Sequence, residues 1–177
     1  MTLCHRLFYA LRPPEGAVDY IMEEQRRFGP GWGIRQEHLH VTLAMANDHA
    51  MFPTPLADRM LAVGDRIAAD PFRFILNQVA ASRRSVAMRP SKALSQLGHF
   101  QRQLDIGMTM AGIAARAGWR FSPHLTLLYR HGRPFSRWID AVSWTVTDFV
   151  LIHSLVGLTR HEDLGRWRLG SSSPTLH

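Results

Sequence analysis

The chain has 177 residues, 46% of them apolar and five of them tryptophan, which excludes disorder and suits one domain, or two small lobes sharing a core. No apolar run approaches the roughly 18 residues that a membrane-crossing helix needs, and MTLCHRLFYALRPP lacks the small-residue cleavage site of a secretory signal, so a cytoplasmic protein is expected. The net charge of +7 rests on arginine, Lys92 being the one lysine; guanidinium forks match phosphate and fit a polyanionic partner such as RNA, although dispersed arginines also follow from base composition.

Arg6 to Arg12 reads as a strand stopped by Pro13 and Pro14, and Ala17 to Phe28 as a helix closed by Gly29 and Pro30. Cys4, the single cysteine, excludes an internal disulfide and reads as a small buried residue. Leu39 to Met45 alternates as a strand. Pro55 to Ala69 places Leu56, Met60, Leu61, Val63 and Ile67 mostly on one side of a helix that Asp70 and Pro71 end. Phe72 to Ala80 and Ser85 to Arg89 form a hairpin around Ser82, Arg83 and Arg84, followed by helix from Lys92 to about Ala117, weakened by Gly107, Gly112 and Gly118. The last third is strand-rich: His124 to Arg130, Ser143 to Val156 as one long strand or a bent pair, and Arg166 to Leu169. The tail SSSPTLH is expected to fray. With no Pro, Gly or Ser linker, the approximate repetition of strand and helix order predicts an α+β fold of two similar lobes, each a small antiparallel sheet with outer helices.

One tetrapeptide recurs in this framework. EHLHVTLAM and FSPHLTLLY each run His, apolar, Thr, Leu: His40, Val41, Thr42, Leu43, then His124, Leu125, Thr126, Leu127. Strand alternation places His40, Thr42 and Ala44 on one face, and His124, Thr126 and Leu128 on one face of the second strand, each His and Thr roughly 6 to 7 Å apart. If the lobes face each other across a cleft, two imidazoles and two hydroxyls converge. That set suits displacement at a phosphodiester: one imidazole takes a proton from the attacking oxygen, the other protonates the leaving oxygen, and the hydroxyls hold the non-bridging oxygens. Arg130, two positions beyond Leu128, adds positive charge at the rim. One His-x-Thr alone is an ordinary half-exposed strand pair; two copies with the same apolar neighbours are rarely coincidental.

On these residues the chain resembles the two-histidine (2H) phosphoesterases, in particular the bacterial and archaeal RNA 2',3'-cyclic phosphodiesterases long called 2'-5' RNA ligases. RLFYALRPP resembles that family's first strand, HVTL and PHLTLLYR its two His-x-Thr motifs, and FVLIHSLVG with GRWRL its closing strands. The resemblance implies one domain over residues 1–177 of two interleaved lobes, each carrying one motif, related by a pseudo-two-fold axis with a cleft between them. It also implies metal-free hydrolysis of a 2',3'-cyclic phosphate at an RNA end to a 2'-phosphate. By motif position His40 is the proton donor and His124 the proton acceptor, with Thr42, Thr126 and Arg130 on the phosphate. No cofactor and no membrane partner is implied, and a monomer is expected. One departure is that Ala46 to Pro55 has no Leu-Gly turn after the first motif.

Other readings stay beside this one. His38 and His40 have a metal-ligand spacing, but no Asp, Glu or Cys partner of recognisable spacing follows. The tryptophans could stack bases, though burial is their commoner fate, and either Phe8 or Tyr9 must face the cleft. A non-catalytic RNA-end-binding module of the same fold, or a phosphodiesterase for a small cyclic or 2'-5' linked nucleotide, would share all these features.

Overall fold

Prolines, charges and apolar periods divide the chain nearly where the sequence places the divisions, as seen in a computed structural model that describes residues 3–29 and 31–170. Pro30 and the tail SSSPTLH, whose fraying was expected, lie outside the described residues. Strand β1 (Cys4–Leu11) leads to helix α1 (Glu15–Arg26), which starts directly after Pro14 with Glu15 in its first turn and Arg26 in its last, both complementing the helix dipole. A short strand β2 (Trp32–Gly33), a 3-10 turn (Gln36–His38) and β3 (Val41–Met45) follow. Next come α2 (Thr54–Gly64), the hairpin β4 (Phe72–Ala81) and β5 (Ser85–Arg89), and α3 (Ser95–Met110). The chain closes with β6 (Leu125–Tyr129), β7 (Phe135–Val146), β8 (Asp148–Val156) and β9 (Arg160–Arg168).

The end of α3 and the starts of β7 and β9 correct the sequence expectation. Helix α3 stops seven residues before Ala117, because Gly112 takes φ of +66° and Ile113 N–H donates back to the Met108 carbonyl at 2.9 Å. That bond and the left-handed glycine together end a helix decisively. The stretch Ser143 to Val156 is a pair of strands broken at Thr147, and β7 starts as early as Phe135. Strands β7 and β9 are edge strands whose residues are nearly all exposed or only partly buried, so their sequences carry little apolar alternation to read.

The sheet order is β7-β4-β5-β6-β3-β1-β8-β9, with β2 added to β6. Strands β7, β4, β5 and β6 make one antiparallel half, and β3, β1, β8 and β9 the other. The sheets expected as separate units are thus joined edge to edge, through the single pair Val41–Leu125 among the described residues. Helix α1 covers β6 and β7; α2 and α3 pack on each other and on the strands of both halves. One core runs behind both halves, containing Leu7, Tyr9 and Leu11 of β1, Ile21 of α1, Met60 of α2 and Leu104 of α3. Tyr9 is fully buried there with its hydroxyl donating to the Met60 carbonyl at 2.6 Å, so Phe8 is the residue of that pair facing the other way. A smaller cluster of Phe8, Ala10, Val150 and Ile152, with Met45 against it, lines that opposite, helix-free face.

Cys4 is half-buried rather than buried, and its thiol points at Asp48 at 3.6 Å. Asp48 also accepts from Arg6 at 2.8 Å and from Arg116. These bonds tie the segment that leads into β6 to the half of the sheet containing β1.

Candidate active site

The two motifs meet where the two halves meet. Val41 and Leu125, antiparallel partners, are both fully buried on the helix side. Their flanking residues, His40 and Thr42 on one strand and His124 and Thr126 on the other, therefore emerge on the helix-free face. The register sets His40 alongside Thr126 and Thr42 alongside His124. The two histidines then lie on the diagonal, about 7 Å apart at Cβ in ordinary ladder geometry.

Simple alternation fails one residue further on, in the same way in both copies. Strand β1 pairs Ala10 with Thr42 and Tyr9 with Ala44, leaving Leu43 as an extra residue. Strand β5 pairs Ala87 with Thr126 and Val86 with Leu128, leaving Leu127 extra. Each bulge sends two successive residues into the core, Leu43 with Ala44 and Leu127 with Leu128. Ala44 and Leu128 therefore do not share the threonines' face as expected. Met45 and Tyr129 take that place, Met45 against Phe8 and Ala10, and Tyr129 exposed.

The imidazoles are oriented alike. His40 Nδ1 lies 2.7 Å from the His38 carbonyl oxygen, and His124 Nδ1 lies 2.7 Å from the Ser122 carbonyl oxygen. A carbonyl only accepts, so Nδ1 carries the proton in both rings and Nε2 is the nitrogen left to act. Neither Nε2, nor either threonine hydroxyl, has a hydrogen-bond partner among the described residues. His124 is exposed and His40 half-buried. Burial pushes the His40 imidazole down to about 4 against the opposing effect of the His38 carbonyl, and the charges of Arg12, His124 and His38 lower it further. His40 is consequently neutral near pH 7, with an Nε2 lone pair.

Around His40 stand Phe8, one of the two residues expected at the cleft, and others that the sequence did not single out. The Phe8 ring is 5.0 Å from the His40 ring, and His161 of β9 packs against His40 at 5.4 Å and against His38 at 4.4 Å. His161 Nδ1 is buried without a partner among the described residues, and burial drives that imidazole down to about 3. Arg12 donates to Asp163 at 2.5 Å and to the Glu37 carbonyl at 2.8 Å, which ties β9 to the turn before His40. Arg12 directly follows the last residue of β1, and His161 sits on a strand with no apolar signal.

Arg130 does not join the motif residues, contrary to expectation. Beyond the bulge it returns to the helix side, where its guanidinium donates to the Phe28 carbonyl at 3.3 Å and lies over the Phe135 ring. His38 is buried, with its ring beside His161 and near Arg35 at 3.4 Å. Among the described residues no three His, Cys, Asp or Glu side chains converge as a metal-binding set. Trp144 and Trp167 pack against the core, while Trp32 and Trp138 are exposed. A groove of about 620 Å³ between α2 and α3, lined by Val63, Ile67, Ile106 and Met110, is lined by none of the motif residues.

Comparison with known proteins gives a consistent result. The model of the 2'-5' RNA ligase superfamily matches residues 13–157, a span that includes both motifs. E. coli LigT complexed with 3'-AMP is similar in fold, with a TM-score of 0.77 and 22% identity, over 96% of this chain and 99% of that one. A structure described as a phosphoesterase has a TM-score of 0.77 and 22% identity, over 94% and 99%. The protein TT0787 of Thermus thermophilus has a TM-score of 0.73 and 24% identity, over 92% and 97%. No curated protein matches the chain by sequence.

Proposed function

The chain belongs to the 2'-5' RNA ligase superfamily of two-histidine phosphoesterases, and on that premise we propose that it hydrolyses 2',3'-cyclic phosphate ends of RNA to 2'-phosphomonoesters. The two interleaved halves act as one domain, each contributing one motif. The observation that carries the reading is the pair Val41–Leu125, whose flanking residues present two imidazoles, each with Nδ1 fixed and Nε2 outward, beside two unengaged hydroxyls.

The reaction balances on these groups. Water attacks phosphorus and gives its proton to His124 Nε2, the bond from phosphorus to the 3' oxygen breaks, and that oxygen takes a proton from His40 Nε2. The phosphate remains on the 2' oxygen. Thr42 and Thr126 hydroxyls donate to the non-bridging oxygens, where charge grows in the transition state. His40 serves as donor only once protonated, and its neutral state near pH 7 means that the proton arrives with the substrate: the phosphate's negative charge offsets the burial and the neighbouring cations that disfavour imidazolium. This chemistry needs no metal. Crystal structures of E. coli LigT with 3'-AMP, with ATP and with phosphate support a phosphate- and nucleotide-binding cleft in this fold.

The test is a product assay on 2',3'-cyclic AMP and on a short RNA ending in a 2',3'-cyclic phosphate, run with EDTA. A 2'-phosphate product is expected; a 3'-phosphate, or turnover only after zinc is added, would reject this reading.

A further inference from the structure

Two large aromatic side chains stand exposed at one end of the motif strands. Trp32 is 84% exposed and Tyr129 is 54% exposed. They are direct cross-strand partners of β2 and β6, so their side chains leave the sheet on the same face. The bulge at Leu127 settles which face, because it returns Tyr129 to the side of His124 and Thr126. The neighbouring pair agrees: Leu128 is buried in the core, and a Cβ on its partner Gly33 would meet Gln25 of α1 at 3.0 Å. Gly33 therefore faces the helices and Trp32 the opposite side. Tyr129 lies three residues beyond Thr126, about 10 Å along the strand.

Cations flank this pair. Ser85 is the partner of Tyr129 on β5, and the turn before it brings Arg83 and Arg84 alongside. The Arg84 carbonyl accepts from Arg130 N–H at 3.1 Å and the Arg83 carbonyl from Gly132 N–H at 3.3 Å, which draws Arg133 to the same corner. The three guanidinium groups are exposed. Large apolar rings kept in water have no packing role, and rings interleaved with arginine match what a single strand of nucleic acid offers, bases to stack and phosphates to neutralise.

We infer that Trp32 and Tyr129 form a stacking platform for the nucleotide on the 5' side of the reacting end, with Arg83, Arg84 and Arg133 along its phosphates. The inference rests on the phosphodiesterase reading for its direction, and it makes an RNA strand, rather than a mononucleotide, the substrate this surface selects. A mononucleotide reaches the histidines without touching the platform.

Trp32→Ala and Tyr129→Ala remove rings that support no core, and Trp32→Phe keeps a ring. Kinetics of these variants are compared on a short RNA with a 2',3'-cyclic phosphate end and on 2',3'-cyclic AMP. Fluorescence anisotropy then measures binding of an RNA of the same length with a plain 3'-hydroxyl, which requires no turnover. Each Ala variant is expected to raise KM for the RNA about 10-fold with kcat unchanged, to leave 2',3'-cyclic AMP kinetics as they were, and to weaken the plain RNA by a similar factor. Trp32→Phe should retain most of the affinity. Unaltered RNA affinity in both Ala variants, or an equal loss with 2',3'-cyclic AMP, would overturn the platform. If the parent chain turns over neither substrate, the phosphodiesterase reading fails and anisotropy alone decides: weaker RNA binding by the Ala variants upholds the platform, and equal binding rejects it.

Discussion

His40 and His124 make the same hydrogen bond: in each ring Nδ1 donates at 2.7 Å to the carbonyl two residues earlier, that of His38 or of Ser122. The bond is local, so it forms once each segment is extended, and it fixes both tautomers before any substrate arrives. Two segments from distant parts of the chain thereby present the same nitrogen to the same space.

Replacing either imidazole separates its two nitrogens experimentally. Asn places an amide nitrogen near the position of Nδ1 and nothing at Nε2. His40→Asn and His124→Asn should therefore keep the local bond and the melting temperature, yet lose rate on 2',3'-cyclic AMP by roughly 100-fold to 10,000-fold, as His40→Ala and His124→Ala should. A variant that retains the parent rate would remove its histidine from the mechanism.

Proton uptake should accompany phosphate binding. Burial and nearby cations hold His40 down to about 4, so at pH 6 to 7 it is neutral and gains a proton when an anion sits beside it. Calorimetric titration of sulfate, a phosphate stand-in with no titratable proton at this pH, in two buffers of different ionisation enthalpy should show net uptake in the parent chain, and much less in His40→Asn. The rate should also fall at alkaline pH, where His40 cannot hold the added proton. Binding without proton exchange would leave His40 no route to the donor role.

Much of this was legible in the sequence, for identifiable reasons. Val41 and Leu125 signal the core side of their strands, and the repeated His-x-Thr marks the other side, because alternation holds for three residues around each pair. Beyond Thr42 and Thr126 it does not hold: a bulge depends on what the neighbouring strand pairs with, and nothing in TLAM or TLLY announces it. That is why Arg130 was expected at the rim of the cleft and Tyr129 was not. His161 was hidden for another reason. Strand β9 is an exposed edge, its composition is polar, and its approach to His40 depends on β8 and β1 lying between them in the sheet.

Acid should weaken the fold in two stages. In the unfolded chain imidazoles titrate near 6.5, whereas burial keeps His40 at about 4 and His161 at about 3 in the fold. Below about pH 6.5 the unfolded state binds more protons, so stability falls with pH until it passes these lower values. With both rings only half-buried, a loss of about 1–2 kcal/mol for each is expected between pH 7 and 4. Asp48, held at about 2 by Arg6 and Arg116, adds a second stage, since its contribution is complete above 3.8 and disappears as pH falls towards 2. Urea midpoints measured from pH 7 to 3 should fall throughout, and His161→Phe should flatten the first stage alone. A flat profile from pH 7 to 4 would show that these imidazoles protonate in the fold as easily as outside it.

The threonines allow a test of charge stabilisation that leaves the acid–base pair in place. Each sits on the face of its strand opposite a fully buried residue, half-exposed and with no protein partner for its hydroxyl among the described residues. Valine has nearly the same shape and the same preference for strands, so Thr42→Val and Thr126→Val should melt within a few degrees of the parent. In the proposed reaction each removes one donor to the non-bridging oxygens, and a single such donor is worth on the order of 100-fold in kcat at comparable sites. The double variant should lose more than either single one, while still binding proton-linked phosphate weakly through the imidazoles. If both single variants turn over 2',3'-cyclic AMP at the parent rate, the hydroxyls only support the strands, and the growing charge on the phosphate must be met by another donor, such as the Arg12 guanidinium, whose charge bears on His40.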